Sequence, residues 1–290
     1  MMSETAPNID RLLVLGPEAS YSDVLAKQMY KDVPIEYAKT LLEITQRVKD
    51  NPELTGVLPI KNTMKGSLSE VITELQDRSL RVTGAARLEV NSTIMGLGDL
   101  DEARIIAGKD VALDQISLFL PDIPRQAMNS TSAAAEHILR TGDKTMLAVG
   151  ATALADQYGL TIYRRRAQDN ADDPGSLNLT SFLMVKARDG WSYTPDRPSD
   201  REVHGTMLFR TERSEEAGAL YIALGQLASR AINMTNIESL NMRGKDISEF
   251  FITFSCTQHA IADLAITKSV SSTMEMDILG VYDPPILYGS

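Results

Sequence analysis

The sequence predicts an α/β domain of two lobes over residues 9–190, followed by a smaller α+β domain over residues 203–285. Three observations carry this. From residue 11 to 185, apolar strand patterns alternate with helical ones, as in strand–helix units built around a mostly parallel sheet. A stretch rich in Pro, Asp and Arg, residues 190–203, then interrupts the alternation. Beyond it the order is strand, helix, strand, strand, helix, strand, which implies a small antiparallel sheet with helices on one face, the ferredoxin-like arrangement.

Strands are expected over 11–16, 56–60, 81–90, 104–107, 125–128, 145–149, 160–164 and 179–185. Helices are expected over 20–30, 42–50, 66–77, 113–119, 132–140 and 151–158. Ser20 or Ser22 suits the start of the first helix, and Asn129-Ser130-Thr131 the start of the fifth, because their hydroxyls accept the free N–H groups there. Leu68, Val71, Ile72 and Leu75 share one helical face. Residues 165–177 are rich in Asp, Asn, Pro and Gly, too long and polar for a tight connection, and suited either to cover a cleft or to lie solvated. In the second domain strands are expected over 205–210, 234–240, 249–256 and 276–282, and helices over 218–230 and 260–271.

Composition excludes several function classes. A net charge of -10 and a pI near 4.9 argue against nucleic acid as a partner. No apolar run approaches the roughly 18 residues of a membrane span, and residues 1–10 lack a secretory leader, so a cytoplasmic location is expected, with no membrane partner. His137, His204 and His259 show no metal-ligand spacing with the lone Cys256, which reads as a packed core residue. No glycine-rich nucleotide loop is present, and no cofactor or metal is indicated.

Three segments share one form, an apolar strand running into a turn rich in hydroxyls and glycine. They are Leu15-Gly16-Pro17-Glu18-Ala19-Ser20-Tyr21-Ser22, the run Gly56-Val57-Leu58-Pro59-Ile60-Lys61-Asn62-Thr63-Met64-Lys65-Gly66, and Asn178-Leu179-Thr180-Ser181-Phe182-Leu183-Met184-Val185. In this order they resemble the signature segments of prephenate dehydratases. Residues 129–135 and 147–160 match further family blocks. Gly218-Ala219-Leu220 and Ile237-Glu238-Ser239-Leu240 resemble the two motifs of the phenylalanine-sensing ACT domain appended to those enzymes.

The resemblance implies a type II periplasmic-binding-protein-like catalytic domain, an ACT domain, and a homodimer or homotetramer. It implies prephenate as substrate, which loses carbon dioxide and the ring hydroxyl to give phenylpyruvate, and L-phenylalanine as effector. Thr180 falls on the threonine of the Thr-Arg-Phe motif and is the expected catalytic donor to the leaving hydroxyl. Ser20, Ser22, Lys61, Asn62, Thr63, Ser130, Thr131, Ser181 and Phe182 are the expected substrate contacts. Gly218, Ala219, Leu220, Glu238 and Ser239 are the expected effector contacts. The first signature strand opens at residue 11, and no helical mutase module is expected ahead of it.

Several positions depart from the family pattern. Ser181 stands where the family has arginine, Lys61 where it has glutamate, Ala19 where it has a turn glycine and Asp23 where histidine is common. Leu240-Asn241 replace the Arg-Pro of the effector motif, with Arg243 near enough in sequence to substitute. Lys61 is therefore expected either to replace the missing arginine at the substrate carboxylate or to be an ordinary solvated lysine. Two alternatives stay open beside the dehydratase: a non-aromatising prephenate decarboxylase, and a small-molecule sensor without catalysis. Retention of Thr180 favours the dehydratase.

Overall fold

The computed structural model describes residues 9–169, 171, 173, 177–195, 199–211, 218–241, 248–268 and 274–289. The first lobe comprises β1 (Arg11–Leu15), α1 (Tyr21–Met29), β2 (Ile35–Ala38), α2 (Leu41–Asp50), β3 (Leu54–Asn62), β4 (Gly66–Ser67), α3 (Ser69–Glu74) and β5 (Leu80–Glu89). The second contains β6 (Thr93–Gly96), β7 (Ile105–Gly108), α4 (Asp110–Asp114), β8 (Arg125–Ala127), α5 (Thr131–Thr141), β9 (Met146–Gly150), α6 (Ala153–Tyr158) and β10 (Thr161–Arg164). The chain returns to the first lobe along β11 (Leu179–Ala187). It continues through β12 (Glu202–Thr211), α7 (Ala219–Ala228), β13 (Asn233–Asn241), β14 (Ser248–Thr257), α8 (Gln258–Lys268), β15 (Met274–Tyr282) and β16 (Ile286–Gly289).

Three sheets result. The first is ordered β16-β5-β11-β3-β1-β2 with β4 beside β3, the second β10-β6-β9-β7-β8, and the third β13-β14-β12-β15. The first sheet is less parallel than expected, because β11 runs antiparallel to both of its neighbours, β3 and β5. The reason is topological: the chain leaves the lobe along β5 and comes back along β11, and adjacent outgoing and returning strands run in opposite directions.

Two further expectations are corrected. The helix predicted over 113–119 is α4, which ends at Asp114. Past that point side chains satisfy the backbone instead: Asp169 accepts from Ser117 N at 2.8 Å and Leu118 N at 2.9 Å. The Arg125 guanidinium takes the carbonyls of Ile116, Phe119, Leu120 and Ile123. The helix predicted from residue 66 begins at Ser69, since Gly66 and Ser67 pair back onto Asn62 and Lys61. Strands β2, β6 and β16, each four residues long, carried no alternating pattern of their own.

Packing follows the alternation of strand side chains between faces. One face of the first sheet holds Leu12, Val14, Val57, Phe182 and Met184 against Leu25 of α1. The other holds Leu58, Ile60, Leu183 and Val185 against α2, α3 and, from the third sheet, Leu208, Phe251 and Leu279. The third sheet turns Met207, Phe209 and Ile252 towards α7 and α8, with Cys256 in that core as expected. Between the first and third sheets lies an ion-pair network. Arg188 grips Asp277 with both nitrogens, at 2.6 and 2.8 Å, and Arg78 reaches both Glu249 and Asp277. After β15 the chain re-enters the first sheet, where β16 pairs in parallel with β5. Among the described residues no helix is long and apolar enough to cross a membrane.

The Glu249 side chain is 1% exposed. Removing its cation leaves a buried charge uncompensated, which costs about 3–5 kcal/mol. The ion pair of Arg11 with Glu36 is partly exposed and worth about 0–1 kcal/mol. Arg78→Ala is therefore expected to lower the thermal midpoint by several times the shift of Arg11→Ala; equal shifts would contradict the network's role.

Candidate active site

The site is set by how β3 lies against β11. Thr180 pairs with Asn62 and Ser181 with Lys61, but Phe182 pairs with Pro59, so Ile60 is an extra residue in β3. A bulge of this kind re-aims the side chains that follow it. In a regular strand Asn62 would share the face of Leu58 and Ile60, inside the core. With the bulge, Asn62 shares the face of Thr180, Phe182 and Met184.

The hydrogen bonds around Asn62 have only one consistent direction. Its Oδ1 accepts the backbone N–H of Met64 at 2.9 Å and of Lys65 at 3.2 Å, groups that can only donate. The opposite amide atom is therefore Nδ2, which donates to Asn178 Oδ1 at 2.7 Å and to Thr180 Oγ1 at 2.9 Å. Asn178 in turn donates from Nδ2 to Gln115 Oε1 at 3.1 Å, joining the first lobe to the second. Thr180 is thus obliged to accept from Asn62. A hydroxyl has one donor, and that of Thr180 meets no acceptor among the described residues.

Beside this cluster a cavity of about 380 Å³ opens between the lobes, lined by Met64 and Lys65 on one wall and by Val111, Asp114 and Gln115 on the other. Asn178, Gln168 and Asp169 form its back. Burial lowers the pKa of the Lys65 ammonium, and Lys109, at the start of α4, lowers it further, against Asp110 and Asp114. Among the described residues Lys65 is the one cation in the lining, beside Asp114 and Asp169, and a bound anion would relieve its repulsion from Lys109. The crossing strands are tied behind it: Gln168 donates to Asn91 Oδ1 at 2.8 Å and accepts from Ser92 N at 3.0 Å. Of the polar loop expected over the cleft, residues 170, 172 and 174–176 lie outside the described residues.

Several expected substrate contacts are placed elsewhere. Lys61 and Ser181 lie on the opposite face of the sheet, where Lys61 Nζ donates to Asn236 Oδ1 at 2.8 Å. Phe182 is 1% exposed and packs in the core under α1. Thr63 Oγ1 donates to Leu177 O at 2.8 Å and accepts from Leu179 N at 2.9 Å, so its hydroxyl holds the start of β11. Ser20 caps α1, donating to Leu15 O at 2.8 Å and accepting from Asp23 N at 3.3 Å, and Ser22 is buried within that helix. Ser130 caps α5 by accepting from Ala133 N at 3.1 Å; the side chain of Thr131 lies outside those described.

Asp23, where the family commonly has histidine, holds the first turn: it accepts from Ala19 N and Tyr37 Oη, each at 2.8 Å. Ala19 adopts φ 58°, the left-handed region that explains the family's glycine there. Residues absent from the expected set are Asn178, Gln115, Lys65 and Lys109.

Of the expected effector residues, Gly218 caps the start of α7 at φ 88°, and Leu220 is half-buried in its first turn; the Ala219 side chain lies outside those described. Glu238 and Ser239 lie on β13, the edge strand. Glu238 accepts from Ser67 Oγ and, at 3.4 Å, from Asn236 Nδ2. Arg243 lies outside the described residues.

The family model described as prephenate dehydratase matches residues 12–190. The chain belongs to the prephenate dehydratase family. A prephenate dehydratase of Methanocaldococcus jannaschii is 25% identical over 279 residues, covering 92% of this chain and 95% of that protein. Among solved structures, a protein described as a novel type of quorum quenching acylase superposes with a TM-score of 0.79 at 26% identity, covering 94% of this chain and 96% of its own. A prephenate dehydratase from Arthrobacter aurescens in complex with L-Phe superposes with a TM-score of 0.76 at 21% identity, covering 94% and 90%. These likenesses span the third sheet as well as the two lobes, and the two-lobed fold is that of periplasmic-binding-protein-like dehydratases.

The orientation of Asn62 has a direct readout. In Asn62→Ala, the Met64 amide loses its acceptor and is expected to exchange its hydrogen faster, while in Thr180→Val it is expected to keep its protection. Unchanged exchange in Asn62→Ala would contradict the assigned amide orientation.

Proposed function

We propose that the chain is a prephenate dehydratase that removes carbon dioxide and water from prephenate to give phenylpyruvate. The observation that carries this reading is the Thr180 hydroxyl, held as an acceptor by Asn62 and so left with its proton available to a ligand. In the reaction the bond from the ring to its carboxylate breaks, its electron pair enters the ring, and the bond to the ring hydroxyl breaks at the far side. The departing oxygen takes one proton, drawn from solvent water, and leaves as water. Aromatisation drives these steps, so the protein's task is orientation and charge placement. Thr180 is too weak an acid to give its proton away and serves as a fixed hydrogen-bond donor to the departing oxygen. Lys65 and Lys109 suit the substrate's two carboxylates.

The acylase relative raises the question of acyl transfer. A threonine nucleophile needs a neighbouring base. The partner of Thr180 is a carboxamide donor that cannot accept its proton, and this favours dehydration.

Residues 9–190 are assigned here to catalysis and residues 203–285 to a regulatory ACT domain, with L-phenylalanine as effector and a homodimer or homotetramer as the assembly. Support comes from the L-Phe complex of the Arthrobacter relative and from the sheet order. Gly218 follows β12, whereas Glu238 sits on β13, two strand positions away, or roughly 10 Å. A site that uses both motifs is completed by a second copy. Tyr221, 81% exposed, and Ile222, 58% exposed, offer that copy an apolar surface beside Gly218.

The test is incubation with prephenate, quenched without acid because acid itself aromatises prephenate, and product identification by mass and ultraviolet absorbance. Phenylpyruvate is expected; a product that keeps its hydroxyl, or unchanged prephenate, would overturn the reading. Thr180→Val is expected to lower kcat by about 10²–10³-fold with little change in KM. Lys65→Gln is expected to raise KM instead. Because the ammonium binds the substrate and its pKa is depressed in the free site, wild-type binding should weaken as pH rises through that depressed value, and Lys65→Gln should lose this dependence.

A further inference from the structure

The residues that depart most from the family pattern, Lys61 and Ser181, line a second cavity of about 220 Å³ between the first and third sheets. The registers set three residues in a row across adjacent strands: Arg87 on β5 opposite Ser181 on β11, and Ser181 opposite Lys61 on β3. Facing residues in antiparallel strands point the same way, with Cβ atoms about 5 Å apart. Two cations therefore flank one small hydroxyl on the floor of the cavity. Among the described residues Arg87 makes no hydrogen bond or ion pair. Lys61 spends one of its three donors on Asn236.

The other walls fit the rest of a ligand. Ile60 and Leu183 rise from the first sheet, and Tyr282 from the third. The nearby acids are already engaged: Glu238 accepts from Ser67 and Asn236, and Glu202 lies 3.5 Å from His204, itself a lining residue. We propose that this cavity is a binding site for a small monocarboxylic acid with a compact apolar body, its carboxylate held between Arg87 and Lys61 over Ser181. Charge-assisted donors from two sides suit a carboxylate, and arginine adds a forked contact. The site lies on the opposite face of the sheet from Asn62 and Thr180, and its existence does not depend on the reaction proposed above.

The test is calorimetric titration of the full chain with 3-phenylpropanoate, with 3-phenylpropanamide as the uncharged control. One molecule of the acid per chain is expected to bind at this site, counted apart from any bound in the cleft or at the effector motifs, and the amide is not. Arg87→Gln and Lys61→Gln should each weaken binding by about tenfold or more. Ser181→Arg, which fills the gap, should abolish it while the circular dichroism spectrum stays that of the wild type. Lys65→Gln, on the cleft side, should leave it unchanged. Absence of binding to the folded wild type would overturn the proposal, as would equal binding of acid and amide. So would binding that Lys65→Gln removes and Ser181→Arg retains.

Discussion

The one-residue slip between β3 and β11 is the constraint on which the rest of the molecule depends. It divides two neighbouring pairs of residues between opposite faces of one sheet: Asn62 and Thr180 to the cleft, Lys61 and Ser181 to the third sheet. Without the extra residue at Ile60, the carboxamide that orients Thr180 would point into the apolar core, where an unpaired amide is costly. The same slip places the two strongest departures from the family pattern away from the chemistry. Lys61 and Ser181 are cross-strand partners, so the glutamate and arginine that stand there in relatives would face each other too. Their replacement as a pair changes the seam between the sheets and leaves the cleft residues as they are.

Charge is arranged locally against the global field. The chain carries a net charge of -10, yet Lys65 and Lys109 meet at the mouth between the lobes, and Arg87 and Lys61 meet at the seam. In the seam the remaining cations, Arg78 and Arg188, are matched to Glu249 and Asp277. These matched pairs hold the sheets together. The amide relay from Asn62 through Asn178 to Gln115 joins the two lobes with neutral groups, which keep their directions at any pH near neutrality.

Much of this was legible in the sequence, for identifiable reasons. The strand-turn-helix alternation, the βαββαβ order after residue 203 and the choice of Thr180 and Asn62 as site residues all rest on local patterns or short motifs. What stayed hidden depends on contacts between distant residues. Gln115 and Asn178 are 63 positions apart, and no spacing rule joins them. Lys65 and Lys109 belong to different lobes and become a pair only when the lobes face each other. The direction of Lys61 turns on a bulge that no hydrophobic period announces. Serines 20 and 130 carry a motif and an expected helix cap in the same residues, and geometry shows that the hydroxyls serve the cap.

The central claim is that Asn62 and Thr180 act as one unit, the carboxamide serving to aim the hydroxyl. A double-mutant cycle on kcat for phenylpyruvate formation tests it most directly, using Asn62→Ala, Thr180→Val and the two together. Residues that act as a unit give grossly non-additive losses. The double variant is expected to be no slower than Thr180→Val alone, since Asn62 has nothing left to orient. A double variant slowed by the product of the two single effects would contradict it.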